Sequence, residues 1–253
     1  EVGEPVSNSG GTIECIADAA RPGFYDMPVI KDVCGIPLSY SSGRTEGTYE
    51  GCEGTIVYVY TYKDCAGLTY DWKYTYNVVR TTPPHIVPGT EPLLTGKTIS
   101  CPSEAATPTT PMVEDVCGIL LWNPVITFSG TWQYGETEGT LIYNYTWTDC
   151  AENALTWSFT YTIKDEIPPT VTGPSQPVLV DNFPGTCYAE FDLTNLNNFP
   201  KGDLAISDNC EGVAQITSIE SDWSYEFENI RRPSVGEYTV KILVVDASGN
   251  ETR

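Results

Sequence analysis

The sequence predicts an all-β fold made of three tandem β-sandwich domains that form an elongated rod. One pattern, a glycine turn followed by eight or nine β-forming residues and an Asp-led polar loop, occurs three times, at residues 53–68, 138–153 and 235–250. Short β-forming runs alternate with Gly- and Pro-rich turns about every 8–12 residues. No segment keeps a helical period, so each copy is read as part of a β domain.

The bulk composition limits the classes of partner and compartment. A net charge of −21 argues against nucleic acid, because a phosphate backbone is bound through Lys and Arg. Nothing in this segment is expected to insert into a membrane, since no run of 18 apolar residues occurs. Nine cysteines at repeating positions indicate an oxidising, extracellular location. The chain opens at Glu1 in mid-pattern, so we expect a mature or excised piece of a longer protein.

Two proline pairs, Pro83-Pro84 and Pro168-Pro169, divide the copies, because a Pro pair cannot continue a sheet ladder. We read the segments that end in them, Thr81-Thr82-Pro83-Pro84 and Asp165-Glu166-Ile167-Pro168-Pro169, as short linkers. The predicted domains, in chain order, are 1–83, 84–168 and 169–253. After the Asp-led loop of the third domain only Glu251-Thr252-Arg253 follow, so its last strand is expected to be cut off or supplied by a neighbouring chain.

The predicted strands alternate regularly between two faces. They cover residues 55–63, 69–79, 140–148, 155–163 and 237–245. In the first of them the aromatic face could bind sugar rings or form a core. The third copy has Val240, Ile242 and Val244 at the positions of Tyr58, Tyr60 and Tyr62, and this exchange of aromatic for aliphatic residues favours a core.

The third domain has only two cysteines, Cys187 and Cys210, so within the domain they can pair only with each other. By equivalence the other domains are expected to pair in the same way, as Cys15–Cys34 and Cys101–Cys117. A disulfide that closes a loop of this size stabilises a domain by roughly 3 kcal/mol. These six cysteines are the predicted disulfide residues.

Cys52, Cys65 and Cys150 stay unassigned. Cys52 and Cys65 lie at opposite ends of one predicted strand, on the order of 40 Å apart, too far for a bond. Thr137 stands at the position of Cys52 in the second domain, which leaves Cys150 odd. Cys150 is then free, bridges chains, or shows that the pairing differs. Scattered cysteines with one histidine favour structural disulfides over zinc.

Acidic residues recur once per domain at two places, in the Asp-led loops (Asp64, Asp149, Asp246) and before a cysteine (Asp32, Asp115, Asp208). The plain explanation is that Asp fixes turns through its own backbone. Calcium is the alternative, with candidate ligands Asp165, Glu166, Asp208 and Asp246. His85 is the single histidine, and no nucleophile pattern accompanies it, so no catalytic residues and no enzyme activity are expected.

The third domain resembles the hyalin-repeat (HYR) domain in Ser207-Asp208-Asn209-Cys210, in Pro233-x-Val235-Gly236 and in Asp246–Asn250. The first two domains resemble HYR-like repeats of very large Bacteroidetes surface proteins. These include gliding-motility adhesins exported by the type IX secretion system. The resemblance implies an immunoglobulin-like β-sandwich, a cell-surface location and a role in adhesion, and it brings no catalytic residues.

The leading functional hypothesis is a structural or adhesive segment of a long secreted surface protein, an adhesin stalk or filament. Its expected partners are further repeats of the same polypeptide, surface glycans, or neighbouring copies joined by strand addition. The alternative is a carbohydrate-binding module that uses Trp122, Trp132 and Trp223 with acidic loops and calcium. A third hypothesis is an accessory part of a secreted multidomain enzyme. No cofactor is expected, and calcium is the one alternative.

Overall fold

The computed structural model describes residues 8–41, 43–133, 136–189, 191–192, 202–210, 214–221, 226–227, 230–231 and 234–253. Within these ranges the regular structure is β-strand with three 3₁₀ turns, Ile16–Asp18, Phe24–Asp26 and Pro102–Glu104. The all-β tandem fold that the sequence predicts is therefore confirmed.

Three successive groups of strands follow the three copies in the sequence. The first copy, called repeat 1, has β1 (Asn8–Ile13), β2 (Arg44–Gly47), β3 (Gly54–Lys63) and β4 (Thr69–Val78). Repeat 2 has β5 (His85–Ile86), β6 (Gly96–Ile99), β7 (Val113–Glu114), β8 (Val125–Gly130), β9 (Glu138–Thr148) and β10 (Ala154–Lys164). Repeat 3 has β11 (Thr170–Thr172), β12 (Phe191–Asp192), β13 (Ala205–Ser207), β14 (Gln215–Ser221), β15 (Glu226–Phe227), β16 (Ile230–Arg231), β17 (Val240–Val245) and β18 (Glu251–Thr252).

Repeats 1 and 2 have sheets of the same order, β1-β4-β3-β2 and β6-β10-β9-β8. The long strands β3 and β4 form an antiparallel hairpin in which Tyr60 lies opposite Trp72. The first strand of each sheet pairs in parallel with the last strand of the hairpin. In repeat 3, β17 pairs with β14 and with the two-residue β18. The predicted hairpin strands are confirmed to within a few residues.

The aromatic face of the first hairpin is the core of repeat 1. Tyr60, Tyr62 and Trp72 form one buried cluster with Ile30, which comes from the loop-rich segment that precedes β2. The Tyr62 hydroxyl donates to the Pro28 carbonyl at 3.0 Å, so the ring is buried while its polar end is satisfied. The core interpretation is confirmed. One residue of the opposite face, Val59, is also buried.

By compactness the chain divides into two units. Unit 1 contains Glu1–Leu93, Thr109–Thr127 and Asn144–Ser158. Unit 2 contains Leu94–Pro108, Phe128–Tyr143 and Phe159–Arg253. Each unit thus combines one repeat with part of repeat 2, because repeat 2 packs one set of its loops against the end of repeat 1. The three domain ranges and the rod shape stay predictions.

Candidate functional site: the junctions between repeats

Each repeat has two Asp-led turns, here called the first loop and the second loop. The first loops begin at Asp32, Asp115 and Asp208, and the second loops begin at Asp64, Asp149 and Asp246. In the first loop of repeat 2, Asp115 Oδ1 accepts the backbone N–H groups of Cys117 and Ile119, both at 2.9 Å. In its second loop, Asp149 Oδ1 accepts those of Ala151 and Asn153, also at 2.9 Å. The turn-fixing role predicted for these aspartates is confirmed.

In the five of these turns whose fourth residue the structure describes, that residue has a left-handed backbone. It is glycine in the first loops of repeats 1 and 2, with φ of 80° at Gly35 and 78° at Gly118. In the second loops it is Gly67 and Gly249, with φ of 86° and 89°. Repeat 2 is the exception, because Glu152 adopts φ 68° there. A side chain in this region costs energy that glycine does not.

The first junction lies within unit 1 and centres on Arg80, which directly precedes the linker. The Arg80 guanidinium forms an ion pair with the Asp115 carboxylate of the first loop of repeat 2. Arg80 is 5% exposed and Asp115 2% exposed, so both charges are removed from water. The backbone N–H of Arg80 donates to Glu53 Oε1 at 3.0 Å. A buried ion pair therefore joins the end of repeat 1 to the first loop of repeat 2.

The second loop of repeat 2 contacts the same residue. Asn153 donates from Nδ2 to the Arg80 carbonyl at 3.2 Å and to Asp149 Oδ2 at 3.0 Å. Beyond Arg80, the linker is bound by Glu14 of repeat 1, which accepts the Thr82 hydroxyl at 2.8 Å and the Thr82 N–H at 3.0 Å. These hydrogen bonds, the hydroxyl first, lower the pKa of the Glu14 carboxyl below its ordinary value.

The second junction lies within unit 2 and has a different charge pattern. Asp165 stands where the first junction has Arg80, and it is 4% exposed. The Asp165 carbonyl accepts Asn250 Nδ2 at 3.1 Å, just as the Arg80 carbonyl accepts Asn153. Its carboxylate Oδ1 accepts Asn209 Nδ2 at 3.1 Å. A carboxylate oxygen of Asp165, one of Asp208 and the Cys210 sulfur lie within 4.8 Å of one another.

Three disulfides run from one repeat to the next. Cys15 bonds to Cys117 and Cys52 bonds to Cys150, with Cα atoms 5.5 Å and 5.8 Å apart, so the first junction has two bridges. Cys101 bonds to Cys210, with Cα atoms 5.2 Å apart, which gives the second junction one bridge. All three separations are ordinary for disulfides. The remaining cysteines, Cys34, Cys65 and Cys187, are free and exposed.

The predicted pairing within repeats is wrong. Cys15, Cys101 and Cys210 bond across junctions, while Cys34 and Cys187 are free. Comparing the copies identified equivalent positions correctly but could not say whether a pair lies in one repeat or in two. The first-loop cysteines Cys117 and Cys210 lie next to the preceding repeat, so they bond to it and not within their own repeat. The argument that strand length separates Cys52 from Cys65 is confirmed.

A signal in the sequence could have revealed the cross-repeat pairing. Repeat 2 has Thr137 at the position of Cys52, and repeat 3 has Ala247 at the position of Cys65 and Cys150. If these two positions bond from one repeat to the next, Thr137 and Ala247 are the two halves of a single missing bridge. Pairing within a repeat would instead leave Cys150 without a partner, as it did in the sequence interpretation.

Of the predicted calcium ligands, the structure brings only Asp165 and Asp208 together. Glu166 pairs with Lys164 on an exposed surface. Asp246 is occupied by its own turn, where it accepts the N–H groups of Ser248 and Asn250. Calcium takes six to eight oxygen ligands, and the third group near the pair is a disulfide sulfur, so these residues fit calcium poorly.

The tryptophans proposed as sugar contacts differ in position. Trp122 is 72% exposed. Trp132 instead packs against the core around Ile99 and donates its ring N–H to the Glu136 carbonyl at 2.8 Å. Trp223 lies outside the described residues. The single histidine, His85, contacts Glu114 at 3.2 Å between β5 and β7.

The comparison with protein families identifies the type of repeat. The profile of the HYR-like domain with 4 cysteines matches residues 4–78 and 90–163, more than half of the chain. The chain belongs to this family. Its HYR-like repeat 1 has all four cysteines and its repeat 2 has three. A search of curated proteins finds no match.

The family is a non-enzymatic structural domain type, and HYR-like repeats joined by disulfides indicate an extracellular protein. In the part of the chain that the structure describes, no helix is both long enough and apolar enough to cross a membrane. Repeat 3 lies outside the matched residues, so its likeness to the hyalin repeat stays a prediction.

Proposed function

We propose that this chain is a covalently braced spacer in the stalk or filament of an extracellular adhesin. The observation that carries the proposal is that all three disulfides join one repeat to the next. A disulfide within a domain stabilises that domain alone. A disulfide across a junction instead limits how far two neighbouring domains can separate, which is what a load-bearing spacer needs.

The bridges overlap along the chain, because Cys101 precedes Cys117. A pulling force therefore has a short covalent route from Cys15 through Cys117, back to Cys101 and on to Cys210. That route contains roughly 16 residues, which extend to about 60 Å at most. With the disulfides reduced, the roughly 195 residues between Cys15 and Cys210 extend to about 680 Å. The bridges thus remove most of the extensible length.

The surface charge supports the same role. A net charge of −21 gives neighbouring molecules a mutual repulsion that opposes association between spacers. Within the first junction the charges are instead paired, as Arg80 with Asp115. The combination keeps the repeats attached to each other and separate from other molecules.

Single-molecule pulling from the two chain ends tests the proposal. The oxidised chain is expected to stop extending early, and the reduced chain is expected to gain several hundred ångströms. Cys15→Ser with Cys117→Ser lengthens the shortest covalent route to roughly 86 residues, or about 300 Å. Cys52→Thr with Cys150→Ala is the matched control, because the short route survives and the extension should stay at the oxidised value. Equal extension in all oxidised variants would contradict the proposal.

The finer assignment is also a proposal. The resemblance to gliding-motility adhesins of Bacteroidetes supports display on the cell surface after type IX secretion. Surface labelling of the parent protein should disappear in a strain that lacks a working type IX system. Surface display that continues in that strain would remove the export route and leave the spacer role untouched.

Glycan binding is a second candidate, and the exposure of Trp122 favours it. An exposed tryptophan face can stack on a sugar ring. Binding on a glycan array that Trp122→Ala abolishes would support it, whereas Trp132→Ala is a poor test because Trp132 packs against the core of repeat 2. Calcium binding also stays a proposal, and a melting temperature that a chelator leaves unchanged would remove it.

A further inference from the structure

We propose that Cys34 and Cys65 form disulfides with a preceding HYR-like repeat, one that has cysteines at the positions of Cys15 and Cys52. Repeat 1 would then be joined at its front as repeat 2 is joined to repeat 1. Cys187 precedes the first-loop cysteine of repeat 3, as Cys15 and Cys101 do in their repeats, and by this order it bonds to the first-loop cysteine of a following repeat. The inference goes beyond the spacer role, because it assigns a partner to each free thiol.

The register of the observed bridges carries the first step. The cysteine ahead of the first 3₁₀ turn in one repeat bonds to the first-loop cysteine of the next, as Cys15–Cys117 and Cys101–Cys210. The cysteine ahead of β3 bonds to the second-loop cysteine of the next repeat, as Cys52–Cys150. Cys34 is the first-loop cysteine of repeat 1 and Cys65 is its second-loop cysteine.

The local geometry of the free cysteines matches that of their bonded equivalents. Asp32 Oδ1 accepts the N–H groups of Cys34 and Ile36 at 2.9 Å and 2.8 Å, as Asp115 does around Cys117. The second loop of repeat 1 is closed by the same bond, from the Leu68 N–H to Asp64 Oδ1 at 2.8 Å. Both loops of repeat 1 are therefore already folded in the form that accepts a bridge.

Exposure gives an independent argument. Val33, beside Cys34, is 89% exposed, whereas the equivalent Val116 is half-buried at the first junction. Asp32 is half-buried, whereas Asp115 is buried against Arg80. Leu68 of the second loop is also exposed, whereas the equivalent Asn153 donates to the Arg80 carbonyl of the preceding repeat. In repeat 2 the surface formed by these two loops packs against repeat 1. The equivalent surface of repeat 1 is exposed.

The missing cysteines follow the same rule. Repeat 2 has Thr137 in place of the cysteine that would bond to repeat 3, and repeat 3 has Ala247 in place of its partner. Repeat 1 has cysteines in both loops, Cys34 and Cys65, so the repeat ahead of it needs a cysteine for each of them. This requirement selects a repeat with the cysteine set of repeat 1 over one with the set of repeat 2.

Disulfide mapping of an extended chain tests the proposal. Residues 1–86 are added once more ahead of residue 1, with Cys34→Ser and Cys65→Ser in the added copy only. Thr12→Ser and Glu50→Asp in that copy mark its Cys15 and Cys52 peptides by mass. After the free thiols are alkylated, trypsin separates the four cysteines of repeat 1 by cutting at Lys31, Arg44 and Lys63. The marked peptides should be linked to Cys34 and to Cys65, with Cys187 alone alkylated.

Two further measurements keep the result decisive. In the 253-residue chain alone, Cys34, Cys65 and Cys187 should all be alkylated, and a Cys15–Cys34 bond there would overturn the register. In the extended chain, Cys52→Thr in the added copy reproduces Thr137 and should free Cys65 while Cys34 stays linked. If Cys101–Cys210 forms normally and both Cys34 and Cys65 remain alkylated, the proposal is wrong, whatever the pulling experiment shows for the spacer role.

Discussion

The two junctions share one backbone arrangement and differ in how it is reinforced. In both, a second-loop asparagine donates to a backbone carbonyl at the junction, Asn153 to that of Arg80 and Asn250 to that of Asp165. The first junction adds two disulfides and the Arg80–Asp115 ion pair. The second has one disulfide, and Asp165 replaces the arginine. The shared part sets the geometry, so the differing part sets the strength of each junction.

The charge reversal between the junctions changes the group that each buried carboxylate contacts. Asp115 receives a guanidinium at the first junction, whereas Asp165 at the second receives the amide of Asn209. An amide donates a hydrogen bond without neutralising a carboxylate charge. The buried charges of the first junction therefore form an ion pair, whereas the second junction has two neighbouring carboxylates. We expect the second junction to open first when the chain is heated or pulled.

The largest effect is expected from Arg80→Asp, which gives the first junction the charges of the second. Removing one partner of a buried ion pair costs roughly 3–5 kcal/mol, because the other charge stays buried and unpaired. Denaturant unfolding of the oxidised chain measures the loss. Arg44→Asp is a surface control, since Arg44 pairs with Asp71 in the exposed part of the sheet and should cost much less. Equal losses for the two variants would mean that the burial of Arg80 is unimportant.

The second effect concerns the extra bridge. Cys52→Thr with Cys150→Ala gives the first junction the cysteine set of the second. A disulfide typically contributes about 2–4 kcal/mol. Hydrogen exchange at the amides of Ala151 and Asn153 should become faster, while exchange at Cys117 and Ile119, held by the other bridge, should change less. Uniform acceleration across both loops would show that the two bridges act as one.

The reverse change is expected to stabilise the second junction. Asp165→Arg removes the repulsion between the Asp165 and Asp208 carboxylates and offers Asp208 the ion pair that Asp115 has. We expect a higher melting temperature, with a gain limited by the desolvation of the arginine. Asp165→Asn is the matched control, since it removes the repulsion without supplying a cation. If the asparagine variant melts at the higher temperature, the two junctions are not equivalent in geometry.

A smaller gain is expected from Glu152→Gly in the second loop of repeat 2. Glu152 has φ 68°, whereas the second loop of repeat 3 has Gly249 at that position. Relieving a left-handed backbone at a non-glycine residue is worth about 1 kcal/mol. Glu152→Ala should give no such gain, because alanine has the same restriction. The melting temperatures of the two variants provide the comparison.

The smallest effect is a pH dependence at the first junction. Hydrogen bonds from Thr82 lower the pKa of Glu14, whereas the second junction has Ser100 at that position. A lowered folded-state pKa means that the stabilisation is present above the unfolded value of 4.5 and is lost as the pH falls through the folded value. An NMR titration should place the Glu14 midpoint below 4.5, and Thr82→Val should raise it. A midpoint that Thr82→Val leaves unchanged would assign the shift to another cause.

Local structure was predictable from the sequence because it depends on nearby residues. Alternation in β3 and β4 gave the hairpin and its buried face, and Asp115 and Asp149 gave the turns. Val59 was missed because alternation assigns each strand only one buried face.

The junctions were not predictable in the same way. Arg80 and Asp115 are far apart in sequence, and no local pattern joins an arginine before a linker to an aspartate in the next repeat. The cysteine pairing failed for a related reason. In a tandem repeat every equivalent position occurs once per copy, so a bond within a copy and a bond to the next copy leave the same pattern of positions. Only the paired absences at Thr137 and Ala247 distinguish the two.

The overlap of the three disulfides has a consequence for survival outside the cell. The chain segments spanned by the bridges Cys15–Cys117, Cys52–Cys150 and Cys101–Cys210 overlap one another. One peptide-bond cleavage anywhere between Cys15 and Cys210 therefore releases no fragment, because every piece stays attached through at least one bridge. A protease that cuts an exposed loop in this range leaves the chain as one molecule, and separation requires a second cut or a reductant.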